Sequence, residues 1–209
     1  MSVSPQKALT PSVIVAVATY KRIALLDKLL ESLTQLSFSR NAGAKVSIAI
    51  IDNDPDQSAK PCVEQWSTDY PFHLEYFHET RPGVTHVRNR ALDIARGSDY
   101  LAFVDDDEFV TSEWLDILLQ QIQEESAAAI FGPVHPVYTK EAPKWLAKWG
   151  VHGTYIDSDG KQSKPGATCN CLIDMAVVEK EDMQFDPKMS LTGGEDTLFF
   201  SQLQDKGYA

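Results

Sequence analysis

The sequence predicts an α/β fold, a mostly parallel twisted sheet flanked by helices. Three observations predict it. Short apolar, β-branched runs alternate with stretches of helical period through the first half of the chain. Those runs are apolar almost throughout, as in strands covered on both faces. Clusters of Asp, Asn or Thr follow directly after several of them, where the strands of such a sheet present a ligand site.

The elements follow in order. Ser12 to Ala18 (SVIVAVA) is the first strand, and Ile23, Leu26, Leu29, Leu30 and Leu33 recur at helical spacing behind it. Lys45 to Ile51 (KVSIAII) is the next strand, closed by the turn-rich Asp52-Asn53-Asp54-Pro55-Asp56. A weaker helix spans Ser58 to Thr68, and Phe72 to Phe77 alternates like a third strand. Val84, Val87, Ala91, Ile94 and Ala95 mark a helix before the strand Tyr100 to Val104. Leu115, Leu118, Leu119 and Ile122 mark another helix, for which Ser112 offers an N-cap, followed by a strand at Ala128 to Phe131. Residues Pro133 to Pro165 hold four prolines, Trp145 and Trp149 and no long apolar period, so they read as a loop-rich excursion. Thr168 to Ile173 returns to the sheet, and Gly193-Gly194-Glu195-Asp196 opens a last helix through Leu198, Phe199 and Leu203.

The 209 residues suit one α/β domain with a substantial core and are too few for two. A net charge of −11 with no Lys/Arg-rich run argues against a general nucleic-acid binder and against docking of this segment on anionic lipid. No apolar stretch approaches the roughly 20 residues of a spanning helix, and the polar opening MSVSPQKALT is no signal peptide. Cys169 and Cys171 fall on one face of a strand, a poor geometry for a disulfide, so the three cysteines read as reduced cytosolic thiols.

The most informative stretch is Phe103-Val104-Asp105-Asp106-Asp107-Glu108-Phe109. Carboxylates crowded at a strand end titrate upward unless something positive joins them. A hard divalent cation such as Mg²⁺ or Mn²⁺ answers that need, held by one or two carboxylates with a ligand's phosphates completing its shell. The plainer alternative is a solvated acidic turn before a helix. Asp52 reads either as an Asx-turn or N-cap residue, or as an acceptor for a base ring N–H. Arg88 lies at the edge of the stripe formed by Val84, Ala91 and Ala95, so it needs an internal carboxylate or an anionic ligand, while Asn89 and Arg90 point away. Thr192-Gly193-Gly194-Glu195 matches a capping box in which Glu195 merely closes its own helix, a reading that leaves Asp196 unexplained. A carboxylate held after paired glycines can act as general base toward a hydroxyl. Trp145 and Trp149, four apart, share a face if helical and either stack on a sugar or join the core.

Taken together, these segments resemble the family 2 glycosyltransferases. The matching residues are VAVATYKR at the first strand's end, IIDNDPD after the second, RPGVTHVRNRAL on the third helix, FVDDDEF at the DxD position and GGEDTLFF at the ED position. Within that family the chain is most similar to bacterial exopolysaccharide or lipopolysaccharide assembly enzymes of the succinoglycan kind. The resemblance implies a GT-A fold over residues 10–209, with 1–134 as the nucleotide-binding half and 135–209 as the acceptor-side half. It implies an inverting, metal-dependent transfer from a nucleotide-diphosphate sugar, with UDP the expected carrier, to a saccharide or lipid-linked acceptor. Thr19 and Asp52 would contact the donor base, Arg88 would stand near the nucleotide, and Asp105 and Asp106 would contact ribose or metal. Asp107, with Asp105, would ligate Mg²⁺ or Mn²⁺. Asp196 would be the catalytic base, with Glu195 beside it positioning the acceptor near Trp145 and Trp149. The expected setting is cytoplasmic, at the inner face of a membrane reached through segments outside this chain. Two departures stand out: DNDPD replaces the common DDGSTD, and the chain stops soon after the last helix, as a trimmed domain would. Rival readings are a non-catalytic nucleotide-sugar-binding module and a sugar nucleotidyltransferase. The latter lacks its glycine-rich phosphate loop here, and retention of both acidic motifs argues against the former.

Overall fold

The computed structural model describes residues 10–149, 166–190 and 192–208. The polar opening and residues 150–165 of the proline-rich excursion lie outside the described residues. Four parallel strands, β1 (Ser12–Thr19), β2 (Lys45–Asp52), β3 (His73–His78) and β4 (Tyr100–Val104), carry the first half of the chain. With β5 (Ala129–Phe131) and β6 (Asn170–Asp174) they form one sheet in the order β3-β2-β1-β4-β6-β5. β6 runs antiparallel to both β4 and β5. The helices are α1 (Ile23–Leu33), α2 (Lys60–Ser67), α3 (Val84–Ile94), α4 (Trp114–Glu125), α5 (Lys144–Trp149), α6 (Met175–Lys180) and α7 (Glu195–Asp205).

The strand pleat divides the core in two. Val15, Val17, Ile48 and Ile50 face Leu26, Leu29, Leu30 and Leu33 of α1 and Leu115, Leu119 and Ile122 of α4. Ala16, Ile51, Leu101 and Phe103 face Val87, Ala91 and Leu92 of α3 and Phe199 and Phe200 of α7. The four α1 leucines are fully buried, and each contributes about 2 kcal/mol of hydrophobic stabilisation. In register, Thr19 of β1 stands opposite Asp52 of β2, and Asp52 opposite His78 of β3. β1, β2 and β3 therefore end level, β4 ends two residues short of them, and the segments after β1, β2 and β4 emerge on one rim.

Two expectations change. Ser112 does not cap α4: the N-cap is Glu113, without a side-chain cap bond, and the Ser112 carbonyl instead accepts from the Ser37 N–H at 2.8 Å. The anchor of this corner is Asp116 in the first turn of α4, fully buried. Its carboxylate accepts from the backbone N–H groups of Ser39, Arg40 and Asn41 at 2.9–3.0 Å and from the Asn41 amide at 2.8 Å. A short helix, α6, also follows β6 where the sequence showed no long period. Asp174 caps it by accepting from the Ala176 N–H at 2.9 Å.

Candidate active site

The site is built outward from the end of β4. The chain turns tightly at Asp105–Glu108: the Glu108 N–H donates to the Asp105 carbonyl at 3.1 Å, and the Asp105 N–H donates to the Glu108 carboxylate at 3.1 Å. That turn sends the three aspartates in different directions. Asp106 is buried and reaches back to the β1 end, where the Thr19 hydroxyl donates to it at 2.8 Å and Arg22 Nη1 at 3.1 Å. Asp107 is exposed and accepts from the same Arg22 nitrogen at 2.9 Å. Asp105 is half-buried beside them.

This acid cluster is short of positive charge. Burial pushes the Asp105 carboxyl up, Arg88 pulls it back, and Asp107 and Asp106 add to the rise. Glu108 is pushed up to about 8 by burial and by Asp105 and Asp107, against the hydrogen bond from the Asp105 N–H. Burial also raises the nearby Cys169 thiol to about 11, with Glu108 and Asp105 contributing, so it is a poor nucleophile. Cys62, Cys169 and Cys171 are all thiols. Among the described residues no three His, Cys, Asp or Glu side chains form a ready-made metal cage. A Mg²⁺ or Mn²⁺ ion that takes one or two carboxylates and completes its shell with diphosphate oxygens needs none. The raised carboxyls of Asp105 and Glu108 mark a turn that lacks positive charge, and such an ion would supply it.

At the end of β2, Asp52 is fully buried and its oxygens serve its own loop. It accepts from the Asp54 N–H at 2.8 Å, the Ala59 N–H at 3.0 Å and the Tyr76 hydroxyl at 3.1 Å. The Asx-turn reading describes these contacts, and a base could reach the carboxylate only if that turn opened. Asn53, which the sequence reading passed over, ties two loops together. Its amide donates to the Glu79 and Arg81 carbonyls at 2.8 Å, and its oxygen accepts from the Gly83 N–H at 2.9 Å. An aspartate there could not donate, which gives the departure from DDGSTD a physical reason.

Asn53 thereby fixes the start of α3, which carries Arg88. Gly83 is the N-cap at φ +117°, and a Cβ there would lie 2.2 Å from the Ser190 hydroxyl. Ser190 in turn bonds the Thr85 hydroxyl, so the loop before α7 is seated on the first turn of α3. Asn89 faces this interface rather than solvent: its amide donates to the Phe185 carbonyl and accepts from the Phe185 N–H, both at 2.8 Å. Phe185 stacks on Phe199 with ring centres 4.3 Å apart, and the Arg88 guanidinium lies 5.8 Å from the Phe185 ring centre.

Arg88, half-buried, hydrogen-bonds the buried Glu195, the first residue of α7. Of the two partners open to Arg88, the internal carboxylate is the one present. The capping box is not formed: the N-cap is Gly194 at φ +85°, and Glu195 turns to Arg88 instead of closing its own helix. Its second carboxylate oxygen has no hydrogen-bond partner among the described residues. Burial lowers the pKa of Arg88, while Asp196 and Asp105 both act to restore its charge. One guanidinium thus sits in the fields of the DDD turn and the ED pair. Asp196, in the first turn of α7, is half-buried.

Trp145 and Trp149 do lie on a short helix, α5, and neither joins the core: they are 55% and 75% exposed. A cavity of about 270 Å³ opens between α3 and α6, lined by His86, Asn89, Asp93 and Glu179 among others, and none of its lining residues belongs to the two acidic segments. Sequence reasoning assigned no role to Arg22, Asn53 or Asn89. The first two lie inside motifs already singled out, ATYKR and IIDNDPD, Arg22 three residues and Asn53 one residue past a strand end.

The sequence matches the description Glycosyl transferase family 2 over residues 14–183. It is 34% identical over 193 residues to the succinoglycan biosynthesis protein ExoM of Rhizobium meliloti (strain 1021), covering 92% of this chain and 61% of that protein. The chain thus spans about three fifths of that relative's length. In structure it is similar to S. aureus TarS, with a TM-score of 0.69 at 19% identity over 90% of this chain and 54% of that one. TarS has also been solved in complex with UDP and with UDP-GlcNAc. The mannosyltransferase PcManGT of Pyrobaculum calidifontis, solved with GDP-Man and Mn²⁺, gives a TM-score of 0.71 at 17% identity, over 95% of this chain and 53% of that one. These structural likenesses speak for the fold. With the family description matched across most of its length and the GT-A architecture in place, the chain belongs to the family 2 glycosyltransferases.

Proposed function

We propose that this chain is the catalytic domain of an inverting transferase that moves a sugar from a UDP-linked donor to a saccharide or lipid-linked saccharide in bacterial surface polysaccharide synthesis. Family membership, the likeness to a succinoglycan biosynthesis protein and the UDP complexes of TarS support that reading. The observation that carries it is Arg88, bonded to Glu195 and within the fields of Asp105 and Asp196, because it ties two acidic segments from distant parts of the chain to one locus. Residues 1–134 form the nucleotide half and 135–209 the acceptor half. The enzyme works in the cytoplasm, against a membrane reached through other segments or partners; no described helix is long and apolar enough to cross one.

Asp196 takes the proton of the acceptor hydroxyl as that oxygen attacks the anomeric carbon from the face opposite the diphosphate. It stands in the first turn of α7, directly after Glu195. Glu195, held by Arg88, fixes the angle at which that helix enters the site. Thr19 and Asp52 shape the base end of the cleft, and Asp105 and Asp106 line the ribose. The exposed Trp145 and Trp149 rings offer faces for an acceptor sugar. A Mg²⁺ or Mn²⁺ ion held by Asp107 and Asp105 would supply Lewis-acid stabilisation of the departing diphosphate.

Incubation with UDP-glucose and other UDP-sugars plus Mn²⁺, followed by UDP release, tests the proposal. Asp107→Asn is expected to abolish metal-dependent donor binding, and Asp196→Asn to keep binding while losing transfer. Transfer at the wild-type rate by Asp196→Asn would remove Asp196 from its role.

A further inference from the structure

Arg22 is a half-exposed side chain just before α1 whose single Nη1 atom donates to two carboxylates, Asp106 at 3.1 Å and Asp107 at 2.9 Å. A bridging nitrogen between two acids occupies the electrostatic position that a cation would take. The two bonds differ in setting. Asp106 is buried and also bound by Thr19, whereas nearly half of the Asp107 side chain is open to solvent. The Asp106 arm is therefore an anchor, and the Asp107 arm can be given up.

We infer that Arg22 is a resident counter-ion of the DDD turn that competes with the incoming divalent cation for Asp107. This rests on the reading of Asp107 as a metal ligand. With the site unloaded, Arg22 holds Asp107 against the β1 end and suppresses its repulsion with Asp106. Cation binding exchanges one positive charge for another at Asp107, while Arg22 keeps its bond to Asp106 and so its place. The turn is thus kept ordered without metal, and binding of metal alone is made weak. A purely structural clamp would do the opposite, because its loss would disorder the ligand and weaken the ion's hold.

The test is Mn²⁺ titration of the whole chain followed by electron paramagnetic resonance, without nucleotide and with UDP. Arg22→Gln is expected to bind Mn²⁺ about tenfold more tightly than wild type without nucleotide, since a neighbouring positive charge has been removed. Arg22→Lys, which keeps the charge but on a more strongly hydrated and more mobile ammonium, is expected to fall between them. Unchanged or weaker Mn²⁺ binding in both variants, with Asp107→Asn still losing the ion, would overturn the exchange and leave the metal reading standing. If Asp107→Asn binds Mn²⁺ as wild type does, or wild type binds none even with UDP, the metal reading itself fails and takes the exchange with it. Should Arg22→Gln fail to fold, the Arg22→Lys titration decides the matter in the same direction.

Discussion

Asp116 and the pair Asp105 and Glu108 are acids withdrawn from solvent in one small domain, and their carboxyls are driven in opposite directions. Asp116, although fully buried, is held well below the usual carboxylate range because backbone N–H groups of Arg40, Asn41 and Ser39 and the Asn41 amide all donate to it. Asp105 and Glu108 are pushed up, Glu108 to about 8, because burial and like charges outweigh the little donation they receive. The difference separates a structural acid from the acids of the candidate site. The first brings its own donors and closes a corner between α4 and the chain after α1. The second is left wanting positive charge, which is a poor arrangement for stability and a useful one for a ligand that supplies it. Arg22 and Arg88 are partial answers from within the chain, one at the exposed edge and one half-buried against Glu195.

Four changes break or sharpen that contrast. Asp196→Asn is expected to lower the transfer rate about 10²- to 10⁴-fold, the usual contribution of a positioned base. Its melting temperature should stay at the wild-type value, as a circular dichroism melt will show. Asp116→Ala should do the reverse, costing about 2 kcal/mol of unfolding free energy by leaving several part-buried donors unmatched. Because the Asp116 carboxyl lies below its unfolded value, its stabilisation is full above about pH 4 and lost as the pH falls further. The acid limb of a urea-denaturation pH series should therefore flatten in the variant. Asn53→Asp should cost about 2 kcal/mol, since two carbonyls lose a donor and meet a carboxylate instead. Glu108→Gln should stabilise the metal-free protein, by on the order of 1 kcal/mol. The sign follows from the raised value: between its unfolded value and about 8 the folded state holds the extra proton, so wild-type stability falls as pH rises through that range. The advantage of the variant is largest above pH 8 and vanishes in acid. An advantage that grew toward low pH would contradict the account of Glu108.

Much of this was legible in the chain. Apolar runs such as SVIVAVA and YLAFV marked β1 and β4 because strands buried on both faces carry no polar interruption. The rim they create followed from their alternation with helices. The direction of β6 was not legible, because periodicity encodes faces and not polarity. The helix α6 has only six residues, too few to show a period, although Asp174 as its N-cap was a signal in plain view. The capping box misled for a conformational reason: with Gly193 and Gly194 both at positive φ, the helix begins at Glu195 itself, which is its first position and not its third. Of the candidate site, the acidic segments could be read directly, as four consecutive acids after a strand and an ED pair after two glycines. What they touch could not, because the partners of Asp106, Glu195 and Phe185 lie 84, 107 and 96 residues away in sequence.

The central claim is that the DDD turn and the ED pair line one donor site with Arg88 between them. Anomalous diffraction from crystals grown with UDP and Mn²⁺ tests it most directly. The expected result is a manganese peak on Asp107 with the diphosphate beside it, in the cleft that Arg88 and Asp196 line. A peak away from Asp107, or UDP bound on a face that neither Arg88 nor Asp196 reaches, would contradict it.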